Sequence, residues 1–185
     1  MNVDSFILMF NIQYSMLNKQ FSMSNANDFL QLIKHPFKFK LFMLAKLPSA
    51  FFCGVRVVDA DENTCAVKVP YKWFSQNPFR STYFACLSMA AEMSTGLLGL
   101  MHVHKRQPAV SMLVVKIEGN FMKKATGITV FTCEDGLAIK KTIEDAISSN
   151  EGKAITSKSQ GRNAAGEIVA EFAVTWSFKV KSNIT

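Results

Sequence analysis

Glycine, proline and cysteine are all scarce in this sequence, and their scarcity excludes several classes of protein. The 185 residues include 9 Gly and 5 Pro, too few for a collagen-like or low-complexity chain. The cysteines lie far apart, and no Cys-x-x-Cys or Cys/His ladder is present. A zinc finger, a ferredoxin and a disulfide scaffold are therefore disfavoured. We expect the cysteines to be free, buried thiols in a reducing, cytoplasmic environment: Cys53, Cys65, Cys86 and Cys133.

Concentrated charge is missing as well. The formal net charge is +7, but the basic residues occur in ones and twos, as in Lys123-Lys124 and Lys140-Lys141. A nucleic-acid-binding protein more often gathers its basic residues along one helix, so we expect no nucleic-acid partner. The positive field still favours an anionic partner, such as a phosphorylated cofactor or a membrane surface.

The amino-terminal segment, residues 1–25, does not have the layout of a secretory signal. No Lys or Arg precedes its apolar run at residues 6–10, no small-residue cleavage site follows cleanly, and the run is too short to span a bilayer. We treat residues 1–25 as an N-terminal extension, either a peripheral helix or an over-extended start. Residues 26–183 are then one domain.

Hydrophobic periodicity predicts helices and strands in this domain. Asn25 or Asn27 is expected to cap a first helix, and Pro36 to open a second that Pro48 closes. Alternation predicts a hairpin of residues 51–58 and 64–71, and strands at 109–121 and 127–133. A short amphipathic helix at 138–148 should end near Gly152. Residues 153–162 have the polar pattern of an edge strand, and residues 168–180 have the cleanest alternation in the chain.

The segment from Phe79 to about Met101 is apolar on every face, so it predicts a long helix that is buried on all sides. Its length of roughly 33 Å would suffice for a membrane. Lipid is disfavoured because Glu92 lies near its middle, several hydroxyls accompany that residue, and β-type sequence follows. We therefore predict a soluble α+β fold in which an antiparallel sheet wraps the helix, with no transmembrane segment.

Two stretches resemble a known family. The motif Asn77-Pro-Phe-Arg-Ser81 with Ala90-Ala-Glu92, and the ending Gly161-Arg-Asn163 with Trp176-Ser-Phe-Lys179, are similar to the hotdog-fold family called domain of unknown function 4442. The likeness covers roughly residues 30–181. It implies a hotdog fold, with a curled antiparallel sheet around a long central helix, and a relationship to acyl-CoA thioesterases.

The resemblance also implies a site. In hotdog thioesterases a loop asparagine, a backbone N–H at the start of the central helix and an acidic residue two turns further act together. Asn77, the amides near Phe84 and Ala85, and Glu92 match these positions. Glu92 would attack the thioester or activate water, and the amides would hold the oxyanion. Residues expected to bind substrate are Arg80, Tyr83, Phe84, Ala85 and Thr95.

The sequence departs from the family pattern at the helix start. Many hotdog thioesterases have His-Gly-Gly there, whereas this chain has Tyr83-Phe84-Ala85. Without glycines a substrate approaches the backbone less closely, and Phe84 could fill part of the acyl channel. Burial should also raise the pKa of Glu92 unless Thr95, Ser88 or a second subunit bonds to it.

Each candidate residue also has a purely structural interpretation. Glu92 could be a buried carboxylate bonded by neighbouring hydroxyls, Asn77 a turn or cap residue, and Arg80 the partner of a carboxylate rather than of a phosphate. His102 and His104 do not share a helical face, so we expect surface histidines and no metal site. Lys123-Lys124 and Lys140-Lys141 are solvated surfaces or contacts for the phosphates of coenzyme A.

The sequence therefore predicts a hydrolase of acyl-CoA or acyl-carrier thioesters with its site at a homodimer interface. We expect no cofactor other than the coenzyme A that the substrate carries, and a tetramer made of two dimers stays open as an alternative. A non-catalytic acyl- or lipid-binding module is the second interpretation, and a purely structural interaction domain is the third.

Overall fold

Three short helices open the part of the chain that the computed structural model describes, residues 26–181. Prolines stand at the first position of the second and third helices, where the missing N–H has no intrahelical partner to lose. The prediction that Pro36 opens a helix is confirmed. Residues 1–25, with the predicted extension, and residues 182–183 lie outside the described residues. The helices are α1 (Ala26–Lys34), α2 (Pro36–Lys46) and α3 (Pro48–Cys53).

A six-stranded antiparallel sheet follows, in the order β1-β2-β4-β5-β6-β3. Two further helices interrupt the strands in sequence. The strands are β1 (Arg56–Ala60), β2 (Cys65–Val69), β3 (Val110–Phe121), β4 (Thr129–Cys133), β5 (Lys153–Arg162) and β6 (Ile168–Val180), and the helices are α4 (Phe84–Val103) and α5 (Gly136–Ser149).

Helix α4 lies across one face of this sheet and contacts β2, β3, β4, β5 and β6. The buried side chains of β6 alternate as predicted, with Phe172, Val174, Trp176 and Phe178 directed to the helix side. Within the described residues, α4 is the one helix that is long and apolar enough to cross a membrane. In an apolar stretch of 18 residues of this helix, 67% of the stretch is buried inside the fold. The predicted central helix on an antiparallel sheet is confirmed.

Three sequence predictions of local structure are wrong, whereas the helix predicted at 138–148 is confirmed as α5 with slightly different ends. Residues 51–53 are helical, because Pro48 starts α3 and Gly54, at φ 81°, ends it in the left-handed conformation. Strand β5 is interior, between β4 and β6. Helix α5 ends at Ser149, with Asn150 rather than Gly152 in the left-handed conformation. Helix α4 begins at Phe84, five residues later than predicted.

The histidines and cysteines are also placed by the fold. His102 is buried, not on the surface as predicted, and burial lowers its pKa. The four cysteines are free thiols, as expected. Three of them are buried, and burial raises the pKa of Cys65, Cys86 and Cys133 to about 12. Such thiols are poor nucleophiles at neutral pH.

Candidate functional site

The loop before α4 is organised by the side chain of Asn77. Its Oδ1 accepts hydrogen bonds from the amides of Phe79 (3.0 Å) and Ser81 (3.2 Å) and from the hydroxyl of Ser81 (3.2 Å). The Arg80 amide donates to the Asn77 carbonyl at 3.2 Å, which closes a turn. Asn77 therefore stabilises a turn, as its purely structural interpretation predicts. Within residues 26–181 its Nδ2 group meets no acceptor, so these donors remain for a ligand.

The start of α4 leaves backbone donors without capping partners. Tyr83 is the N-cap residue and provides no side-chain acceptor. The amides of Phe84 and Ala85 belong to the first turn, whose N–H groups have no acceptor within the helix. These two amides, with the positive end of the helix dipole, form a place that favours an anionic oxygen.

A pocket of about 580 Å³ opens at this helix start. Its walls come from the loop before α4, the first turn of α4 and the segment after β3. Of the predicted substrate-binding residues, Tyr83 and Phe84 line it, whereas Arg80, Ala85 and Thr95 do not. Asn77, predicted to be catalytic, also lines it, and the lining residues without a predicted role include Leu87, Phe121 and Met122.

Basic residues stand at the mouth of the same pocket. Lys123 and Lys124 both line it, and Lys124 Nζ lies 3.5 Å from the carbonyl oxygen of Phe79. Lys123 forms an ion pair with Glu167, whereas Lys141 pairs with Asp145 on the surface of α5. Of the two lysine pairs noted in the sequence, the 123–124 pair is the one beside the pocket. Arg80 is exposed and adopts a positive φ of 58° in the turn.

Glu92 lies two turns further along α4 and is half-buried. Burial raises the pKa of its carboxyl. The two hydroxyls expected to bond to it are used elsewhere, since Ser88 donates to the carbonyl of Phe84 (3.0 Å) and Thr95 to the carbonyl of Glu92 itself (2.9 Å). Among residues 26–181, no side chain donates a hydrogen bond to the Glu92 carboxylate.

Gly96 and Trp176 shape the surroundings of this carboxylate. A Cβ placed on Gly96 would lie 3.2 Å from Glu92 Oε1 and 3.0 Å from the indole Cζ2 of Trp176. The carboxylate and the indole therefore share the space that the missing side chain leaves. Trp176 Nε1 donates to Thr95 Oγ1 at 2.9 Å. Sequence reasoning assigned Trp176 to a buried strand face and gave Gly96 no role, because their meeting depends on how β6 packs under α4.

The two halves of the predicted site are separated within one chain. Glu92 follows Phe84 by eight positions, so their backbones are about 12 Å apart along the helix axis. One thioester carbonyl cannot reach both. They do share a stripe of α4 that the sheet leaves partly uncovered, and this open stripe comprises Phe84, Ala85, Ser88, Met89, Glu92, Gly96 and Leu100.

Within residues 26–181, no three His, Cys, Asp or Glu side chains lie close enough together to hold a metal ion. His104 stacks on the ring of Phe29 at 5.3 Å between centroids, at the end of α4 away from the pocket. The groups that remain for chemistry are the carboxylate, the helix-start amides and the Asn77 amide.

Comparison with solved structures identifies the fold. A Pseudomonas aeruginosa protein of unknown function, named a probable thioesterase, aligns with a TM-score of 0.68 at 19% identity, over 79% of this chain and 97% of that one. A protein of unknown function from Chlorobaculum tepidum gives 0.65 at 16% identity, over 79% and 97%. A Haemophilus influenzae thioesterase gives 0.57 at 9% identity, over 81% and 94%. The chain thus has the hotdog fold.

Sequence comparison gives no match to a protein-family model or to a curated protein. Membership of the domain of unknown function 4442 family therefore stays a prediction. Because these solved structures are less than 20% identical to this chain, they show the fold alone. The activity has to be argued from the site.

Proposed function

We propose that this protein is a thioester hydrolase that acts on acyl-CoA or acyl-carrier substrates as a homodimer. The observation that carries the proposal is the half-buried Glu92 carboxylate, which has no hydrogen-bond donor among the described residues and lies on the open stripe of α4. An acidic side chain in such a place is more often functional than structural.

The dimer follows from the separation of the two halves of the site. Glu92 of one chain and the helix-start amides of the other can meet if two copies pack through their open stripes. Strand β3 supports this arrangement because it is an edge strand with exposed apolar side chains, including Leu113, Val115 and Ile117. An isologous contact of this kind would form two equivalent sites.

The hydrolysis would use these groups in sequence. Glu92 takes a proton from a water molecule as the water oxygen attacks the thioester carbon. The carbonyl oxygen becomes an oxyanion, which the amides of Phe84 and Ala85 hold. The C–S bond then breaks, the thiol leaves with the proton from Glu92, and the acid product remains. The alternative mechanism is nucleophilic: the Glu92 carboxylate attacks the thioester carbon directly, the thiolate leaves, and water then hydrolyses the resulting anhydride.

The other residues would position the substrate. Asn77 offers its free Nδ2 donors to the substrate or to the attacking water. Lys124, at the pocket mouth, provides a cation for a phosphate of coenzyme A. Tyr83 and Phe84 form the apolar wall for the acyl chain.

A release assay tests the activity. Purified protein is incubated with acyl-CoA thioesters of increasing chain length, and free coenzyme A is measured. We expect release that falls by about 10²- to 10⁴-fold in Glu92→Gln, because general-base groups contribute that much. The exposed Glu144→Gln on α5 is the matched control. Absence of release from every donor would contradict the proposal.

A mixed-dimer experiment tests the arrangement of the site. If Glu92 acts with Asn77 of the partner chain, a dimer of one Glu92→Gln chain and one Asn77→Ala chain contains one intact site and one doubly altered site. Mixing the two inactive variants would then restore activity. If both residues act from the same chain, each site keeps one defect and mixing restores nothing.

A non-catalytic acyl-binding module is the second candidate, and Phe84 favours it. The side chain at this position lines the pocket where glycine would let a thioester approach the amides. Binding of a fatty acyl chain without release of coenzyme A from any donor would favour this candidate. Neither binding nor release would leave the purely structural interaction domain.

A further inference from the structure

Three exposed aromatic side chains form a connected group beside the α4 start. Phe52 lies in the last turn of α3, and Trp73 and Phe74 belong to a 3₁₀ turn after β2. The rings of Phe52 and Phe74 lie 5.9 Å apart, and those of Trp73 and Phe74 lie 4.7 Å apart. Their exposed fractions are 49%, 75% and 56% for Phe52, Trp73 and Phe74. We call these three residues the aromatic patch. Contiguous exposed aromatic surface of this kind marks an interaction site.

The patch is held against the pocket described above. The carbonyl of Phe74 accepts a hydrogen bond from the Cys53 thiol at 3.3 Å, and Cys53 Sγ lies 3.5 Å from Cys86 Sγ in the first turn of α4. The amide of Tyr83 donates to the carbonyl of Ser75, the residue after the patch, at 2.7 Å. The patch is therefore joined to the first turn of α4, where the pocket opens.

The two stretches of sequence that contain the patch carry charge of one sign. Residues 29–58 and 63–91, which include the whole patch, contain no Asp or Glu. The terminal atoms of Lys72 cover Gly54 at the end of α3, within 2.7 Å of where a Cβ would stand. The basic residues of these two segments are Lys34, Lys38, Lys40, Lys46, Arg56, Lys68, Lys72 and Arg80.

This combination fits one kind of partner. Exposed Trp and Phe beside basic side chains, without acidic ones, suit the interface of a bilayer that contains anionic lipids. Each basic residue near such a surface adds to the attraction. A second copy of this chain fits less well, because pairing two such patches would bring like charges together. In the dimer of the proposed function, the second copy also covers a different surface, which consists of the open stripe and β3.

We propose that the aromatic patch docks on membranes that contain anionic lipids. Trp73 and Phe74 enter the boundary between headgroups and acyl chains, and Lys72 lies at the level of the lipid phosphates. Docking does not depend on hydrolysis. Where the proposed hydrolysis also holds, the pocket mouth would receive long-chain acyl thioesters from the membrane rather than from water.

Tryptophan fluorescence gives a direct test, because the two tryptophans differ in exposure. Trp73 is 75% exposed, whereas Trp176 is 5% exposed and packed under α4. Added to the full-length protein, vesicles of phosphatidylcholine with phosphatidylglycerol should shift the emission to shorter wavelength, and high salt should reverse the shift. Vesicles of phosphatidylcholine alone should have little effect, since the charge attraction is absent.

Variants locate the contact by co-sedimentation with the same vesicles. The double variant Trp73→Ala, Phe74→Ala should lower the affinity by about tenfold or more, because two apolar side chains no longer insert. Lys72→Gln, which keeps the aromatic rings, should lower it by about fivefold. The matched control is Leu137→Ala on α5, which removes a side chain that is 58% exposed and should leave binding unchanged.

The outcomes are decisive without any substrate. Failure of the wild-type protein to bind the phosphatidylglycerol vesicles overturns the docking proposal and leaves the thioesterase proposal untouched. Equal binding by the double variant and the wild type also overturns it. If the double variant instead loses self-association in sedimentation, the patch is an interface between copies, and the membrane assignment is wrong.

Discussion

Trp176 Nε1 donates a hydrogen bond to Thr95 Oγ1 at 2.9 Å, and the same hydroxyl donates to the backbone carbonyl of Glu92 at 2.9 Å. One hydroxyl thus connects β6 to the turn of α4 that carries the candidate catalytic acid. Thr95 was expected to bind substrate. In the structure its hydroxyl makes this helix–sheet contact, and its role toward substrate stays a prediction.

Thr95→Val should destabilise the protein by about 1–3 kcal/mol, because it leaves the buried indole N–H without an acceptor. Trp176→Phe removes the donor as well as part of the packing. In a double-mutant cycle by urea unfolding, the two substitutions together should destabilise less than the sum of the single effects. Strict additivity would show that the hydrogen bond contributes nothing to stability.

Gly96→Ala should both destabilise the protein and displace Glu92. The added methyl would lie 3.0 Å from the Trp176 ring and 3.2 Å from Glu92 Oε1, closer than normal contacts allow. Overpacking of this kind typically destabilises by about 1–3 kcal/mol. Gly152→Ala is the matched control, because nothing lies within 4 Å of a Cβ there. Equal unfolding midpoints for the two variants would contradict the tight contact.

Much of the fold could be predicted from the sequence because the core positions repeat with clear periods. The alternation of β6 reflects burial of one strand face, and the apolar residues around α4 reflect its contacts with the sheet and with other helices. Strand β5 misled the prediction because its core-facing residues are polar or small. Ser157 and Ser159 are buried, and Ser159 Oγ lies 2.7 Å from Ser94 Oγ of α4. Composition suggested an edge, whereas close helix–strand packing requires those small residues.

The site was only partly predictable. Glu92 stands out in the sequence as the one acidic residue in an apolar helix, and Asn77 and Phe84 come from the resemblance. The separation of Glu92 from the helix start follows from helix geometry, but the part that Gly96 and Trp176 take depends on a contact between residues 80 positions apart. No local pattern encodes such a contact.

The pH dependence of stability should report the burial of Glu92. Because burial raises the pKa of Glu92 in the folded state, the unfolded chain releases this proton at lower pH than the folded one. The group therefore lowers the free energy of unfolding as the pH rises through the interval between the unfolded and folded pKa values. Glu92→Gln should be more stable than wild type at neutral pH and equal to it in acid, below the ordinary carboxyl pKa of about 4.3.

Chemical denaturation at several pH values between acid and neutral measures the difference in stability between wild type and Glu92→Gln. The same shift should move the acid limb of hydrolysis above the ordinary carboxyl pKa, because only the ionised Glu92 accepts a proton from water. A constant stability difference between wild type and Glu92→Gln at all pH values would show that the carboxyl is not perturbed.

Phe84 should limit which acyl chains enter the pocket. Its ring is 55% exposed, stacks edge-on against Tyr83 at 4.8 Å between centroids and lines the pocket wall. Phe84→Ala should raise the rate with bulky or long acyl thioesters relative to short ones, by about tenfold, since it removes an obstructing ring. Tyr83→Phe, which keeps the wall, is the control. An unchanged preference for chain length would place the acyl chain elsewhere.

Strand β3 should be the dimer edge. It has 12 residues against 5 in β1 at the other edge of the sheet, and its Ile117 pairs with Val174, a residue of the buried, α4-facing side. Ile117 is nevertheless 46% exposed in the single chain. An apolar side chain on the core side of an open edge is expected to be covered by a second copy.

Ile117→Lys should therefore weaken dimerisation by at least about tenfold, measured by sedimentation velocity. It should also abolish thioester hydrolysis, while circular dichroism shows that the monomer stays folded. Val58→Lys, at a residue that is 55% exposed on β1, is the matched control and should leave both unchanged. Dissociation by Val58→Lys instead would assign the interface to the opposite edge of the sheet and contradict this prediction.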